Sequence, residues 1–413
     1  MRFARVLGVG LVLGILLGVP GDGQESRYAT IDRHAMAAPP AAEASLEALA
    51  AYLVRPARTG EERARSVYRW VTARISYDVE ALLSGNKPDQ NAEAVLRRRT
   101  AVCAGYSQLY AALAREAGLD VAVVSGDCRV VPGKPPESHA WNAVRLGGKW
   151  RLLDSTWGAG WVDRNGRAFH REFQNHYFLT PPEQLIFTHF PEEPRWQLLG
   201  RQRPRQEFES YPIVSSSYFA CGIEALELHG YLVAEGSARL RFKVPSGVKL
   251  SGQLVQDSGK LPENLVFGQR DERTFVVDTV FPRAGEYRLE IYATKSSRAT
   301  RMERCMQYRV KATRGTRDAE FPRLSSTFLE RNAFLDAPLT GKLRSGRPVP
   351  FRLRVPGALE VNVVTGERWQ PLQRKAGDRF SGDIPLRPGK ASVFARFPGD
   401  TQHWSLLEYS VAP

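Results

Sequence analysis

The chain has 413 residues, 43% of them hydrophobic, with 58 Lys and Arg against 44 Asp and Glu, a formal charge of +14. This length exceeds what one ordinary hydrophobic core supports, so several domains are expected. Beyond the short run RRR at 97–99, the positive charge is not concentrated in any one segment. We therefore interpret it as a dispersed, solvated surface and predict no nucleic-acid binding.

The N-terminus has the features of an export signal. Arg2 and Arg5 precede an apolar run over 6–19, which suits a signal-peptide core and is short for a membrane span. We predict a signal peptide over 1–23, with an uncleaved anchor as the alternative. Residues 24–44 contain Ala and Pro with little periodicity and are predicted to be a linker. The mature protein is therefore expected in the periplasm, the cell envelope or the extracellular space, without an integral membrane segment.

A helix is predicted to begin at Cys103. Apolar residues recur at three- and four-residue steps from Tyr106 to Ala117, and Gly118 ends the pattern. The first turn of a helix carries unpaired N–H groups that stabilise negative charge, so this position favours thiolate. Thiolate is the nucleophile of cysteine chemistry. Cys103 is therefore either an activated nucleophile or a small buried core residue.

Two extended runs meet at the Gly-Gly dipeptide 147–148, a strong signal for a two-residue hairpin. The register that this turn predicts places Asp154 opposite Trp141 and Thr156 opposite His139. Side chains alternate along a strand, so these four share one face. His139 and Asp154 are then diagonal neighbours within reach of an imidazole–carboxylate hydrogen bond. The carboxylate can set the ring's orientation and tautomer, and the other ring nitrogen can take a thiol proton.

Taken together, these segments resemble the transglutaminase-like (papain-like) cysteine superfamily, and most closely its kyphoscoliosis-peptidase type. The matching blocks are RSVYRWVTARISYD at 65–78, NAEAVLRRRTAVCAGYS at 91–107, SHAWNAV at 138–144, RLLDSTWGAG at 151–160 and NHYFLTPPEQLIFTHFPEEPRWQLL at 175–199. The resemblance covers residues 45–200 and implies an α+β papain-like, transglutaminase-like domain there. It implies Cys103 as nucleophile, His139 as base and Asp154 as the acid that orients the base.

A site of this kind attacks an amide carbonyl of a protein or peptide substrate and forms a thioester. The oxyanion and substrate contacts are open at this stage: candidates are the Cys103 backbone N–H and the side chains of Gln108, Trp141 and Trp157. The second nucleophile is water in a protease or amidase and a lysine amine in a transglutaminase, and the sequence leaves both open. Two alternatives are a non-catalytic scaffold that engages an envelope or extracellular protein, and acyl transfer to a small molecule, as in arylamine acetyltransferases.

After residue 206 the sequence changes to short alternating runs separated by turn residues, which is typical of β-sandwiches. We predict one immunoglobulin-like sandwich over 207–312 and a second over 320–413. The stretch FPRAGEYRLEIYA at 281–293 resembles the sandwich modules that follow the catalytic domain in the kyphoscoliosis-peptidase family. The predicted fold is therefore a multidomain chain, with the α+β domain followed by two all-β sandwiches.

Four cysteines are few for a secreted chain. Cys103 is expected to be free and Cys128 has no obvious partner, whereas Cys221 and Cys305 fall in one domain and are candidates for a disulfide. The Cys and His positions do not have the spacing of a zinc site, and no glycine-rich phosphate loop is present. We predict no metal and no cofactor.

Overall fold

The structure is a computed structural model that describes residues 22–130, 135–163, 166–257, 259–295 and 301–413. The apolar run 6–19, predicted as the core of the export signal, lies outside the described residues. Within the described ranges, none of the helices combines the length and the hydropathy that a bilayer-spanning helix needs.

The N-terminal domain is α+β, as predicted. Its helices are α1 (Asp22–Met36), α2 (Leu46–Leu53), α3 (Gly60–Arg74), α4 (Val79–Ser84), α5 (Ala92–Arg98), α6 (Cys103–Glu116), α7 (Ser155–Ala159) and α8 (Pro182–Leu185). Its strands are β1 (Ser76–Tyr77), β2 (Thr100–Ala101), β3 (Asp120–Cys128), β4 (Glu137–Leu146), β5 (Lys149–Leu153), β6 (Gly160–Val162), β7 (Phe169–Arg171) and β8 (His189–Pro191). An antiparallel sheet runs in the order β5-β4-β3-β8, and α6 packs on it.

The linker predicted over 24–44 is wrong for its first part, because α1 is a helix that packs against α3. Tyr28, Ile31 and Ala35 are 1%, 4% and 0% exposed and lie on one face of α1. Asp32 of α1 pairs with the buried side chain of Arg65 in α3. The apolar face of α1 is narrow and partly made of alanine, so its helical period was weak in the sequence.

Local signals place the elements that carry the site. The helix α6 begins at Cys103, as predicted, and Gly118 follows it with φ +72°. The hairpin register is also confirmed: Leu146 pairs with Lys149, and positive φ at both glycines gives the backbone that a type I′ turn requires.

The prediction that places Thr156 on the second strand of the hairpin is wrong. Pairing in β5 stops at Leu153, and Asp154 instead caps α7, where its carboxylate accepts the backbone N–H groups of Thr156 and Trp157. An Asp side chain that satisfies two free N–H groups starts a helix more favourably than it continues a strand.

The first sandwich follows the short helix α9 (Arg205–Ser210) and contains a second short helix, α10 (Ser216–Ala220). Its strands are β9 (Ile213–Val214), β10 (Glu224–Ala225), β11 (Tyr231–Glu235), β12 (Ser237–Lys243), β13 (Lys249–Gln256), β14 (Gly259–Lys260), β15 (Val266–Asp271), β16 (Thr274–Val280), β17 (Gly285–Thr294) and β18 (Glu303–Arg314). The two sheets have the orders β10-β12-β16-β15 and β11-β18-β17-β13-β14, with β9 on β18. They enclose their own apolar core.

The second sandwich repeats this design around a second apolar core, which also takes in Phe267 of β15 in the first sandwich. It contains α11 (Ser326–Glu330) and the strands β19 (Arg323–Leu324), β20 (Phe334–Ala337), β21 (Lys342–Arg344), β22 (Val349–Arg354), β23 (Glu360–Thr365), β24 (Arg368–Pro371), β25 (Gln373–Arg374), β26 (Arg379–Ile384), β27 (Gly389–Arg396) and β28 (Trp404–Ala412). Its sheets have the orders β19-β28-β27-β23-β24, with β21 on β28, and β20-β22-β26-β25.

Specific contacts join the three parts. The buried amide of Gln269 in β15 hydrogen bonds both backbone groups of Leu335 in β20, at 2.8 and 3.1 Å. On the other side of the first sandwich, Phe219 stacks on His176 of the N-terminal domain, with ring centroids 5.4 Å apart.

The disulfide considered for Cys221 and Cys305 is not formed, since both are free thiols. The Cys305 thiol instead donates to the backbone carbonyl of Ile291 at 3.3 Å. A buried thiol of this kind behaves as a small hydrophobe with a weak donor.

Candidate active site

Cys103 is the first residue of α6 and is half-buried. The residue before it, Val102, is the N-cap and offers no side-chain acceptor to the first turn. The Val102 backbone N–H donates to Gln90 Oε1 at 3.1 Å, which anchors the approach to the helix. A Cβ at Gly105 would lie 2.5 Å from the same oxygen, so only glycine permits this close approach. These contacts hold the Cys103 thiol at the N-terminus of α6.

His139 lies in β4, the strand between β5 and β3, and its imidazole is next to the Cys103 thiol. It is 6% exposed, and its Nε2 lies 2.9 Å from Asp154 Oδ2. The Cys103 thiol lies close enough to the same imidazole and to the backbone N–H of Ala140 for both groups to lower its pKa. Because Nε2 serves Asp154, the nitrogen left for the thiol is Nδ1. The structure therefore brings the three residues of the predicted site together, with the imidazole of His139 between the Cys103 thiol and the Asp154 carboxylate.

The Asp154 carboxylate is fully buried and accepts four hydrogen bonds. Oδ1 accepts the backbone N–H groups of Thr156 and Trp157 at 2.7 and 3.1 Å. Oδ2 accepts from His139 at 2.9 Å and from His189 at 3.1 Å. The backbone N–H of Asp154 donates to the Tyr177 carbonyl. A buried carboxylate with this many donors is held in its ionised form.

The electrostatics of the three groups favour a thiolate–imidazolium pair. Burial raises the pKa of Cys103, but the hydrogen bond and charge of His139 outweigh it, and the net pKa lies below the usual thiol range. Burial lowers the pKa of His139, but the charge and hydrogen bond of Asp154 outweigh it and raise this pKa to about 10. Burial raises the pKa of Asp154, but His139 and His189 hold it well below its usual range. Proton transfer from thiol to imidazole is therefore favourable at neutral pH.

His189 is the member of this network that sequence reasoning missed. It lies in β8, which pairs with β3 so that His189 faces Cys128 across the strands. The THFP motif around it was part of the last block of the family resemblance, but nothing in its local spacing pointed to Asp154. The two residues are 35 positions apart and meet only because β8 closes the edge of the sheet.

The predicted substrate contacts lie in different surroundings. Trp157 is half-buried, and its ring centroid lies 5.8 Å from that of His139. Trp141 is 1% exposed and packs in a core with Val124, and its Nε1 has no hydrogen-bond partner among the described residues.

Gln108 is not brought to the site by any contact of the described residues. It is an exposed residue of α6, and the five residues from Cys103 advance the helix by about 140° beyond a full turn. Its side chain therefore leaves the helix on a different side from the thiol. The backbone N–H of Cys103, the other oxyanion candidate, lies at the start of α6.

His139, Asp154 and His189 also bring three atoms of metal-ligand type within 4.8 Å of one another. In the described structure the Nε2 atoms of His139 and His189 each hydrogen bond to Asp154 Oδ2. A metal ion would have to replace both of those N–H donors. Hydrogen bonds among the three side chains account for the arrangement without one.

Comparison with known proteins assigns the N-terminal fold. The sequence model of the transglutaminase-like superfamily matches residues 47–155, which run from α2 into α7 and include Cys103, His139 and Asp154. The N-terminal domain belongs to the transglutaminase-like superfamily. A second model, the KY-like, immunoglobulin-like domain, matches residues 205–323, which contain the first sandwich.

The transglutaminase-like domain is close to the kyphoscoliosis-peptidase type. Kyphoscoliosis peptidase of Mus musculus is 33% identical over 187 residues, which are 44% of this chain and 28% of that protein. Hillarin of Drosophila melanogaster is 28% identical over 247 residues, which are 54% of this chain and 30% of that protein. The chain thus spans less than a third of the length of these relatives.

Among solved structures, a crystal structure of a TGase matches at 21% identity with a TM-score of 0.24, over 37% of this chain and 36% of that one. A titin Ig tandem covers 46% of this chain with a TM-score of 0.15 at 12% identity. Scores this low support no inference about the site.

Proposed function

We propose that the chain is an exported cysteine enzyme that acts on protein or peptide amides through a thioester on Cys103. The observation that carries the proposal is that Cys103 lies beside His139, whose imidazole hydrogen bonds to the buried Asp154 at 2.9 Å. Each of these groups is costly to bury alone, and each has the partner that its chemical role requires. The kinship with kyphoscoliosis peptidase supports the same assignment.

In the first half-reaction the Cys103 thiolate attacks the amide carbonyl carbon and the carbonyl oxygen takes up the negative charge. The Cys103 backbone N–H, at the start of α6, is positioned to donate to that oxygen. The His139 imidazolium then gives its proton to the nitrogen, the C–N bond breaks, and an amine leaves. The products of this step are a thioester and a neutral imidazole held by Asp154.

In the second half-reaction neutral His139 takes a proton from the incoming nucleophile, which attacks the thioester and releases the thiol. Water gives a carboxylic acid, and a lysine amine gives a new amide. Trp157 beside His139 shields this step from bulk solvent and so favours an amine. Water is abundant at an envelope surface, however, and the sequence marks no acidic amine site. We therefore place hydrolysis first and transglutamination second.

The proposed location follows from the N-terminal sequence, where basic residues precede an apolar run of signal-peptide length. The two sandwiches would then present the N-terminal domain to its target outside the cytoplasm. N-terminal sequencing of the product released by cells tests this part of the proposal. A full-length product in the cytosol would contradict it.

Thiol labelling tests whether Cys103 is activated. Cys128 lies in the same domain, and burial raises its pKa above the usual thiol range. At pH 7 iodoacetamide should therefore modify Cys103 at least tenfold faster than Cys128, because a pKa difference of one unit already changes the thiolate fraction about tenfold. Peptide mapping reads both sites in one digest. Equal rates in the folded protein would remove the nucleophile assignment.

The reaction type is decided with a glutamine-bearing protein and a labelled primary amine, using Cys103→Ala as the inactive variant and Cys128→Ala as its matched control. Ammonia or new peptide termini without label indicate a hydrolase, and Cys103-dependent label indicates a transferase. Absence of both, across a broad substrate panel, favours the non-catalytic scaffold.

A further inference from the structure

His189 is a buried histidine for which the proposed reaction has no step. Its side chain is fully buried, and its Nε2 lies 3.1 Å from the same Asp154 oxygen that His139 uses. Two imidazoles therefore converge on one carboxylate oxygen. Burying a second imidazole beside Cys103 and His139 costs desolvation free energy, so its burial there calls for a physical explanation.

The His189 ring is held on all sides. Its Nδ1 lies 2.8 Å from the Thr188 hydroxyl, and the rings of Trp157 and Trp141 have centroids 4.6 and 5.1 Å from its own. The backbone is fixed as well, because β8 pairs with β3 and the Thr188 carbonyl accepts the N–H of Arg129. Neither the chain nor the ring can turn away from Asp154 without breaking these contacts.

The hydrogen bonds define the tautomer. Burial lowers the pKa of His189, so the ring is neutral and carries one N–H. Asp154 only accepts, so that hydrogen is on Nε2, and Nδ1 accepts from Thr188. The Thr188 hydroxyl also lies 3.2 Å from the Leu185 carbonyl, but its single hydrogen serves the shorter contact. Neutral His189 is therefore a donor to Asp154 and does not compete as a base.

We propose that His189 is a positioning residue, which locks the Asp154 carboxylate so that Asp154 in turn holds and charges His139. Two backbone N–H groups hold Oδ1 of Asp154, and His189 holds Oδ2. These contacts fix the plane of the carboxylate independently of its hydrogen bond to His139. This inference rests on the proposed function and extends it to a fourth side chain. Without His189, the buried carboxylate loses one of four donors, and the negative charge that stabilises the imidazolium is less well held.

The test compares amide variants of His189. In His189→Gln the amide nitrogen stands close to the position of Nε2 and still donates to Asp154, whereas in His189→Asn it stands near Nδ1 and cannot reach. His189→Leu removes the donor at similar volume. His176→Leu is the matched control, because it removes a nearby histidine that stacks on Phe219 and does not contact Asp154.

The measurement is the rate of Cys103 alkylation by iodoacetamide from pH 4 to 10 in the full chain, with circular dichroism on each variant. The wild type should show an apparent thiol pKa below the ordinary value. His189→Leu and His189→Asn should raise it by about one unit, so that alkylation at pH 6 falls about tenfold. His189→Gln should stay within about threefold of the wild type at that pH, and His176→Leu should match the wild type.

A His189→Leu profile that superimposes on the wild type overturns the inference, as does a folded Gln variant that is as slow as the Leu variant. If His189→Leu does not fold, the order of Gln over Asn decides, since both carry a polar amide. An ordinary thiol pKa in the wild type itself overturns the proposed function, and this inference with it. A lowered wild-type pKa with no His189 effect overturns this inference alone.

Discussion

The N-terminal domain and the second sandwich bury polar groups in opposite ways. In the N-terminal domain Arg65, His139, Asp154 and His189 are buried and joined by ion pairs or hydrogen bonds. Within 320–413, all of which the structure describes, the buried polar side chains are uncharged: Asn362, Thr365, Gln370 and Ser392. Because burying charge costs stability, a domain that needs only to fold can avoid it. The proposed active-site groups therefore belong to a domain that buries paired charges, whereas the second sandwich buries none.

The first sandwich is intermediate between them. Asp278 and Glu290 are 6% and 5% exposed, but their partners Arg239 and Arg304 keep much of their surface in water. In each pair the carboxylate is therefore buried, whereas the guanidinium remains largely solvated. Surface or half-surface pairs of this kind contribute little to stability, so breaking pairs in the different regions should give very different results.

The largest effect is expected at the centre of the buried network. Asp154→Asn replaces an acceptor by an amide whose donor faces the His139 and His189 N–H groups, so it should disfavour the required tautomer. We expect the fold to persist and turnover to fall on the order of 10³–10⁴-fold. Steady-state kinetics on the substrate found in the amine and hydrolysis assays measures this. Near-wild-type turnover would show that the buried carboxylate has no part in the reaction.

The next effect concerns the ion pair that ties α1 to α3. Asp32 accepts two hydrogen bonds from Arg65 at 2.7 and 2.8 Å, and the Arg65 side chain is fully buried while Asp32 keeps 17% exposure. Asp32→Ala leaves the guanidinium without its anion and should cost about 3 kcal/mol, the lower end for a buried pair because Asp32 is partly solvated.

Hydrogen exchange of α3 peptides measures this cost for the N-terminal domain alone, which suits a chain of several domains. A cost below about 1 kcal/mol would mean that the pair behaves like a surface contact and that α1 packs by its apolar face only.

A third effect is the pH dependence of the His139–Asp154 contact. It is best measured in a Cys103→Ser background, because that substitution removes the titration of the thiol. The measured quantity is the unfolding free energy of Cys103→Ser minus the unfolding free energy of the double variant that also carries His139→Gln. The folded pKa of Asp154 is depressed, so its contribution is present above about pH 4 and is lost as the pH falls. Burial lowers the pKa of His139, but the charge and hydrogen bond of Asp154, which Cys103→Ser retains, raise it above 6.5, so its contribution is full below pH 6.5 and is lost as the pH rises through the raised pKa.

The free-energy difference should therefore be greatest between about pH 4 and 6.5 and should decline on both sides. Hydrogen exchange of N-terminal-domain peptides, corrected for the intrinsic exchange rate at each pH and measured at fixed ionic strength, provides the values. A difference that grows from pH 6.5 to 9 would contradict the raised pKa of His139.

The smallest effect is expected for a surface pair of the first sandwich. Lys243 and Glu224 lie 2.8 Å apart, with side chains 58% and 62% exposed. Lys243→Gln should change the unfolding free energy by no more than about 0.5 kcal/mol, since water screens the pair. The same exchange measurement, applied to β12 peptides, serves as the reference for Asp32→Ala. A cost comparable to that of Asp32→Ala would end the contrast between the two regions.

The local parts of the site could be predicted from the sequence. The helical spacing after Cys103 placed the thiol at the start of α6, and the Gly-Gly turn at 147–148 set the register that brings His139 to Asp154. These signals are readable because a turn type and a helix start depend on the φ, ψ and hydrogen-bonding needs of a few consecutive residues. The same locality explains the error at Thr156, where capping by Asp154 prevailed over strand continuation.

The contacts between distant segments could not be predicted from the sequence. His189 reaches Asp154 from 35 residues away and Arg65 reaches Asp32 from 33, through packing that no local spacing encodes. Tertiary packing also buries Trp141, while the turn of α6 leaves Gln108 exposed, although both were equal candidates in the sequence. The physical reason is that burial, desolvation and the pairing of distant strands are properties of the assembled core, so the fourth partner of the site exists only once β8 closes the sheet.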